Sequence, residues 1–360
     1  MTPRRQATRE GGLRPVAPLI LLDGSEASGT GYMLRTALAL SAASGEPFEM
    51  RCIRDREARS GLLPEHVAVI RATAFACSAT VNGAFDGSPD LRFQPGPVSA
   101  GRFRFELATG GAASLLVQTV LLPLATAEGE SEIAVTGATH LPGSPPFHYL
   151  SSHWSRLVRR LGLRIRYELV RAGFHRRASG ELRARVEPWP RPASLQLDRR
   201  GDLVSVSGIS GTGRSREPIA ERLRDAAQKR LWEAKRLDVP WELPDYPSAS
   251  PGSFVHLEAL FEHSRAAWCL LGEPDERPEA LGDRAARHLL AFLESDAAVD
   301  AAAADQLAVP MALARGGGML TTPSVTAALE RAAEIIRRFG VEAKVSGRMG
   351  GPGSLEVGRC

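Results

Sequence analysis

Residues 305 to 340, DQLAVPMALARGGGMLTTPSVTAALERAAEIIRRFG, set an acid and an amide, Asp305 and Gln306, before an apolar run, then three glycines, then a helix begun after Pro323. Near the start of that helix stands Thr326, and a threonine hydroxyl is a poor nucleophile without an adjacent base. Histidine would be the usual nucleophile or general base, yet none of the eight makes H-E-x-x-H. His140, His148 and His153 have loop-and-helix spacing that reaches an opportunistic metal site at most, so no metal ligands are assigned. His66 follows Glu65 on a helical stretch, where packing is the expected role. No G-x-S-x-G elbow and no Cys-His signature is found. In LDGSEASGTGYMLR, Gly29 and Gly31 lie between a strand and a helix start, where free N–H groups favour anions. The stretch lacks G-K-[ST] and the dinucleotide glycine spacing, so it reads as a plain strand-to-helix turn. Arg35 lies roughly 140° from the centre of the Met33, Leu34, Ala37, Leu38 stripe, off the core and free to reach a phosphate or water.

The formal charge is +4 with a pI near 9.1, and the positive charge is nearly all arginine, Lys229, Lys235 and Lys344 being the lysines. Between Arg156 and Arg177 lie Arg159, Arg160, Arg164, Arg166, Arg171 and Arg176, with Glu168 as the acid among them. Such a run is either a footprint for a polyanion or a solvated face. At 360 residues and 43% hydrophobic the chain can bury a large core in two or three lobes. The apolar run Leu19 to Leu22 is too short for a signal core or a membrane span, so a cytoplasmic protein without membrane attachment is expected. Cys52, Cys77, Cys269 and Cys360 have no C-x-x-C pairing and read as small apolar residues.

Hydrophobic period alternates strands with helices along most of the chain, for example the strand PFEMRCIR before the helix GLLPEHVAVIRATAFAC. A V-x-G echo at Val81, Val135, Val206 and Val345 hints at repetition. The rhythm stops around residue 190 and the Pro-rich VPWELPDYPSASPG. The expected organisation is therefore a basic tail over 1–17, a repeat domain over 18–189 and 276–348, an inserted small α+β domain over 190–275, and a tail over 349–360. The fold class is α+β rather than a doubly wound sheet.

Four stretches, IRDREARSGLLPEHVAVIRA, LATGGAASLLVQTVLLPLA, VTGATHLPGSPP and ADQLAVPMALARGGG, make the chain resemble the RNA 3'-terminal phosphate cyclases over residues 19 to 346. The resemblance implies three repeated units, each a four-stranded sheet with two helices, and a small inserted α+β domain. It also implies a reaction. ATP and a divalent ion such as Mg adenylylate a histidine, AMP passes to an RNA 3'-phosphate, and the adjacent 2'-hydroxyl closes a 2',3'-cyclic phosphate.

By the same resemblance Gln118, Pro145, Pro146, Asp305 and Gln306 bind the nucleotide. Arg35 and Arg54 match family arginines and, with Arg159, Arg160 and Arg164, would meet phosphate or RNA. The chain departs from the pattern at four places. Ser28 replaces a glutamate, Ala302 replaces an aromatic residue, Gly173 to Gly180 replaces G-F-Y-P-x-G-G-G, and Thr326 replaces the nucleophilic histidine. A threonine adenylate is an ordinary phosphodiester and not a phosphoramidate, so the catalytic residue is left unassigned, with His175 and His66 as substitutes. The partner implied is RNA with a 3' end. The alternative is a non-catalytic RNA-binding member of the family in RNA processing or ribosome assembly.

Overall fold

A computed structural model describes residues 18–25, 30–107, 111–175, 179–215, 218–314 and 316–359. The first unit runs β1 (Ile20–Asp23), α1 (Thr30–Ser44), β2 (Phe48–Arg51), α2 (Pro64–Ala76), β3 (Thr80–Asn82) and β4 (Leu91–Gln94). β1 and β2 are parallel, β2 and β4 antiparallel, β4 and β3 antiparallel, giving the order β1-β2-β4-β3. The second unit repeats this path with β5 (Arg102–Glu106), α3 (Ala113–Leu124), β6 (Ser131–Gly137), a π-helical turn Tyr149–Trp154 running into α4 (Ser155–Arg159), β7 (Ile165–Arg171) and β8 (Gly180–Val186). Its order is β5-β6-β8-β7, with the same parallel and antiparallel pairs.

The third unit opens with β9 (Leu195–Leu197) and is then interrupted. The interruption holds β10 (Leu203–Gly213), α5 (Ile219–Lys235), β11 (Trp241–Glu242), β12 (Asp245–Tyr246), β13 (Gly252–Phe261), β14 (Arg265–Leu271) and α6 (Pro278–Leu293). The unit resumes with α7 (Ala301–Leu313), β15 (Gly316–Thr322), α8 (Ala327–Arg338), β16 (Ala343–Gly347) and β17 (Gly353–Arg359). Its sheet, read from β9, is β9-β15-β17-β16, the third copy of one topology. The expected α+β class, with three sheet-and-two-helix units and a smaller α+β insert, is what the chain forms.

Several expected boundaries need correction. β9 pairs with β15, so residues 195–197 belong to the third repeat and not to an insert beginning at 190. α6 buries Leu281, Ala285 and Leu289 in one core with Leu223 and Leu257, so the insert extends past 275. Residues 353–359, expected as a tail, form β17 because Leu355 and Val357 alternate into the core. The three glycines, to which no strand was assigned from the sequence, start β15. A Cβ on Gly318 would sit 2.5 Å from the Leu195 carbonyl oxygen, so glycine lets the two strands approach.

The main core joins all three repeats, with Leu38, Phe48, Leu116, Leu150, Leu307 and Leu355 in one cluster. α3 is buried along nearly its whole length, which places it at the centre of the molecule. Among the described residues no helix is long and apolar enough to cross a membrane.

Candidate nucleotide and RNA-end site

The first helices of the three repeats, α1, α3 and α7, meet around a small cavity. Its polar lining includes Arg35 from α1, Gln118 from α3, and Asp305 and Gln306 from α7, and Tyr32 and Trp154 also form part of the wall. Arg35, Gln118 and Gln306 each stand five residues beyond the first residue of their helix, Thr30, Ala113 and Ala301. Threefold repetition of one topology thus carries equivalent positions to one point. Gln118 is buried on a helix whose neighbours Leu116, Val117 and Val120 are all core, so its amide has no place there except toward this cavity.

Helix α7 is held in place by polar contacts at its start and middle. Asp300 caps it, accepting the Ala303 N–H at 2.9 Å, and also accepts the Tyr149 hydroxyl at 2.8 Å and the Ala267 N–H at 3.2 Å. His153 Nε2 lies 2.9 Å from its other oxygen. Burial pushes the Asp300 carboxyl up, but the adjacent His153 and these donors outweigh burial and hold it below the usual range. Further along, Pro310 lacks the N–H that would bond the Gln306 carbonyl. The Trp154 indole N–H donates to that carbonyl at 3.1 Å, and the Tyr32 hydroxyl donates to the Asp305 carbonyl at 2.6 Å. The acid-amide pair is therefore anchored through its backbone, and both residues line the cavity.

The Asp305 carboxylate accepts the Thr326 hydroxyl at 2.5 Å, and Thr326 in turn accepts the Leu329 N–H at 3.0 Å as N-cap of α8. Burial raises the Asp305 carboxyl to about 7; the Thr326 hydrogen bond opposes the rise and the Asp300 charge adds to it. Burial likewise lowers the Arg35 guanidinium to about 10, which leaves it cationic at neutral pH. His66 takes the Leu63 N–H on Nδ1 at 3.2 Å and is held to about 4 by burial, then by Arg35 and Arg54, so it is a neutral imidazole. His66 Nε2 and Arg35 Nη1 crowd Gly31, lying 3.0 and 3.1 Å from where a Cβ would be. Arg54 occupies the left-handed region at φ 54, unusual outside glycine, and among the described residues its buried Nη1 has no hydrogen-bond partner. A second cavity, lined by Arg35, Glu65, His66, Leu141 and Ser144, adjoins the first through Arg35.

The remaining expected residues fall elsewhere. Pro145 and Pro146 lead into the π-helical turn beside that second cavity and do not line the first. Ala302 is exposed, on the same face of α7 as Asp305 and Gln306. Ser28, Arg176 and Arg177 lie outside the described residues. The arginine run is split between α4 and β7: Arg159 is exposed, Arg160 donates to the carbonyls of His263 and Gln196, and Arg164 pairs with Glu187 at 3.4 Å. His140 and His148 share a hydrogen bond of 3.0 Å, and His148 continues to the Tyr246 hydroxyl at 2.8 Å, while His153 serves Asp300. Among the described residues no group of three or more His, Cys, Asp or Glu is placed to hold a metal ion. His175 lines a cleft against the insert and is not part of the cavity.

Tyr32, Trp154 and Asp300 were not singled out from the sequence. Asp300 had a local signal, an Asp before an alanine run at a helix start. Trp154 had none, because its partner Gln306 is far away in the chain.

A fold of three repeated sheet-and-two-helix units, with its polar residues gathered where the first helices converge, defines a repeat-built α+β protein with one central site. The chain matches the family model described as RNA 3'-terminal phosphate cyclase over residues 26–345. It is 36% identical over 328 residues to a protein of Ralstonia nicotianae named RNA 3'-terminal phosphate cyclase, covering 90% of this chain and 92% of that one. It is 39% identical over 328 residues to one of the same name from Pseudomonas aeruginosa, covering 89% and 92%, and 33% identical over 346 residues to one from Methanopyrus kandleri, covering 94% and 98%. The chain belongs to the RNA 3'-terminal phosphate cyclase family.

Proposed function

We propose that the cavity between α1, α3 and α7 brings together a nucleoside triphosphate, ATP in the first instance, and the 3'-terminal phosphate of an RNA. The observation that carries this is the convergence of Arg35, Gln118, Asp305 and Gln306, remote in sequence, on one wall. The amides of Gln118 and Gln306 have the donors and acceptors to read a base or ribose. Arg35, and Arg54 behind His66, supply fixed positive charge for phosphate. Arg54 holds an uncommon backbone conformation, and its buried Nη1 has no partner among the described residues, which suits it to a phosphate. Of the arginine run, exposed Arg159 is offered to the RNA strand, whereas Arg160 joins β9 to the insert and Arg164 is paired with Glu187. A divalent ion brought in with the nucleotide would be held chiefly by its phosphates. With Thr326 where the family histidine stands, a P–N intermediate cannot form at that position. A cytoplasmic setting, where both ATP and RNA ends are present, accords with this function.

Titration calorimetry with ATP tests the nucleotide part. Gln118→Leu and Gln306→Leu should each weaken binding by about tenfold, with the double variant less than additive because both amides would serve one ligand. Unaltered ATP binding in both variants would place the nucleotide elsewhere.

A further inference from the structure

Thr326 sits at the N-cap of α8, half-buried, with its hydroxyl donated to Asp305 Oδ1 at 2.5 Å. What a threonine lacks as a nucleophile is a base beside it. Here the base is present, on a helix already fixed by Asp300, Tyr32 and Trp154. The free N–H groups in the first turn of α8 favour negative charge at the same place, whether an alkoxide or a phosphate oxygen. Asp305 is also a wall residue of the cavity that holds Arg35, Gln118 and Gln306. A hydroxyl, its base, a helix N-terminus and the cavity's cation are thus contiguous.

From this juxtaposition we infer that Thr326 is a self-nucleotidylation site, with Thr326 as nucleophile and Asp305 as general base. The inference rests on the reading of the cavity as a nucleoside triphosphate site. Thr326 Oγ1 attacks the α-phosphorus, a new P–O bond forms, and the bond from that phosphorus to the bridging oxygen of the β-phosphate breaks. Pyrophosphate leaves, and the hydroxyl proton passes to the Asp305 carboxylate. The product is a threonyl nucleotide phosphodiester. It lacks the labile P–N bond that would drive onward transfer, so it accumulates to one nucleotide per chain and does not turn over. A carboxyl raised to about 7 by burial is a base of suitable strength near neutrality.

The test is intact-mass measurement on the full-length protein after incubation with ATP and magnesium, alongside calorimetric binding of α,β-methylene ATP, which cannot release pyrophosphate. The expected result is one added AMP, mapped to Thr326, that survives both acid and hydroxylamine. Thr326→Ser keeps the adduct, and Thr326→Asn, which retains a good helix cap, abolishes it. Asp305→Asn slows its formation by about 100-fold or more. A chain that binds the analogue yet stays unmodified overturns the inference and leaves the nucleotide reading standing. An adduct that persists in Thr326→Asn, or forms at full rate in Asp305→Asn, overturns it as well. Failure to bind the analogue removes both.

Discussion

Trp154 donates its indole N–H to the Gln306 carbonyl at 3.1 Å, across the interface between the second and third repeats. The contact exists because Pro310 leaves that carbonyl without its helical donor. Replacing Trp154 with Phe strands a buried carbonyl and should cost roughly 1–3 kcal/mol in addition to lost packing. Pro310→Ala restores an N–H in the helix, so in the Trp154→Phe background it should recover part of that loss. Denaturant unfolding of the two single variants and the double variant measures the coupling; strictly additive effects would mean that the indole packs but does not satisfy the carbonyl.

Asp305 makes stability pH-dependent in a direction opposite to most carboxylates. Its folded value of about 7 exceeds the ordinary 3.8, so its contribution is full below 3.8 and is lost as pH rises through 7. Asp305→Asn should therefore gain stability relative to the natural chain between those values and reach a plateau above 7. Thr326→Val removes the hydrogen bond that opposes the rise, and should move the window to higher pH. Chemical unfolding at pH 4, 6 and 8 checks both; a constant difference across that range would contradict them.

The insert joins the repeats at a point defined by the symmetry. In the first two repeats six residues, 24–29 and 107–112, link the opening strand to the first helix. In the third, β9 and α7 are separated by 198–300, which contains the insert. Replacing this segment with a six-residue link ending in Asp300 should leave a cooperatively unfolding repeat domain, destabilised by exposure of His148 and Phe174 where they pack on Phe254. Loss of all cooperative unfolding in the shortened chain would show that the repeats cannot close without the insert.

Much of this arrangement was legible in sequence where the signal is local. The β-α-β rhythm and the insert stand out because period acts over a few residues, whereas roles for Gln118, Asp305 and Gln306 come only from the resemblance to a family. The V-x-G echo was less informative: Val81 and Val345 lie in equivalent strands, β3 and β16, but Val135 lies in β6 and Val206 in the insert. β15 was missed because a strand opening on three glycines has no hydrophobic alternation to mark it, while Gly318 is what permits close pairing with β9. The partnership of Asp305 with Thr326 is 21 residues apart in sequence and depends on how α7 and α8 pack, which no local pattern records. The split of the arginine run by the change from α4 to β7 is likewise a tertiary outcome.

The central claim, that an RNA 3'-terminal phosphate is held at the Arg35 and Arg54 side of the cavity, is tested most directly by equilibrium binding of one 5'-labelled RNA carrying either a 3'-phosphate or a 3'-hydroxyl. The natural chain should prefer the phosphate end by about tenfold, the contribution of one or two charge-assisted contacts, and Arg35→Gln and Arg54→Gln should each erase most of that preference. Equal affinity for the two ends, or a preference that survives both substitutions, would contradict the account.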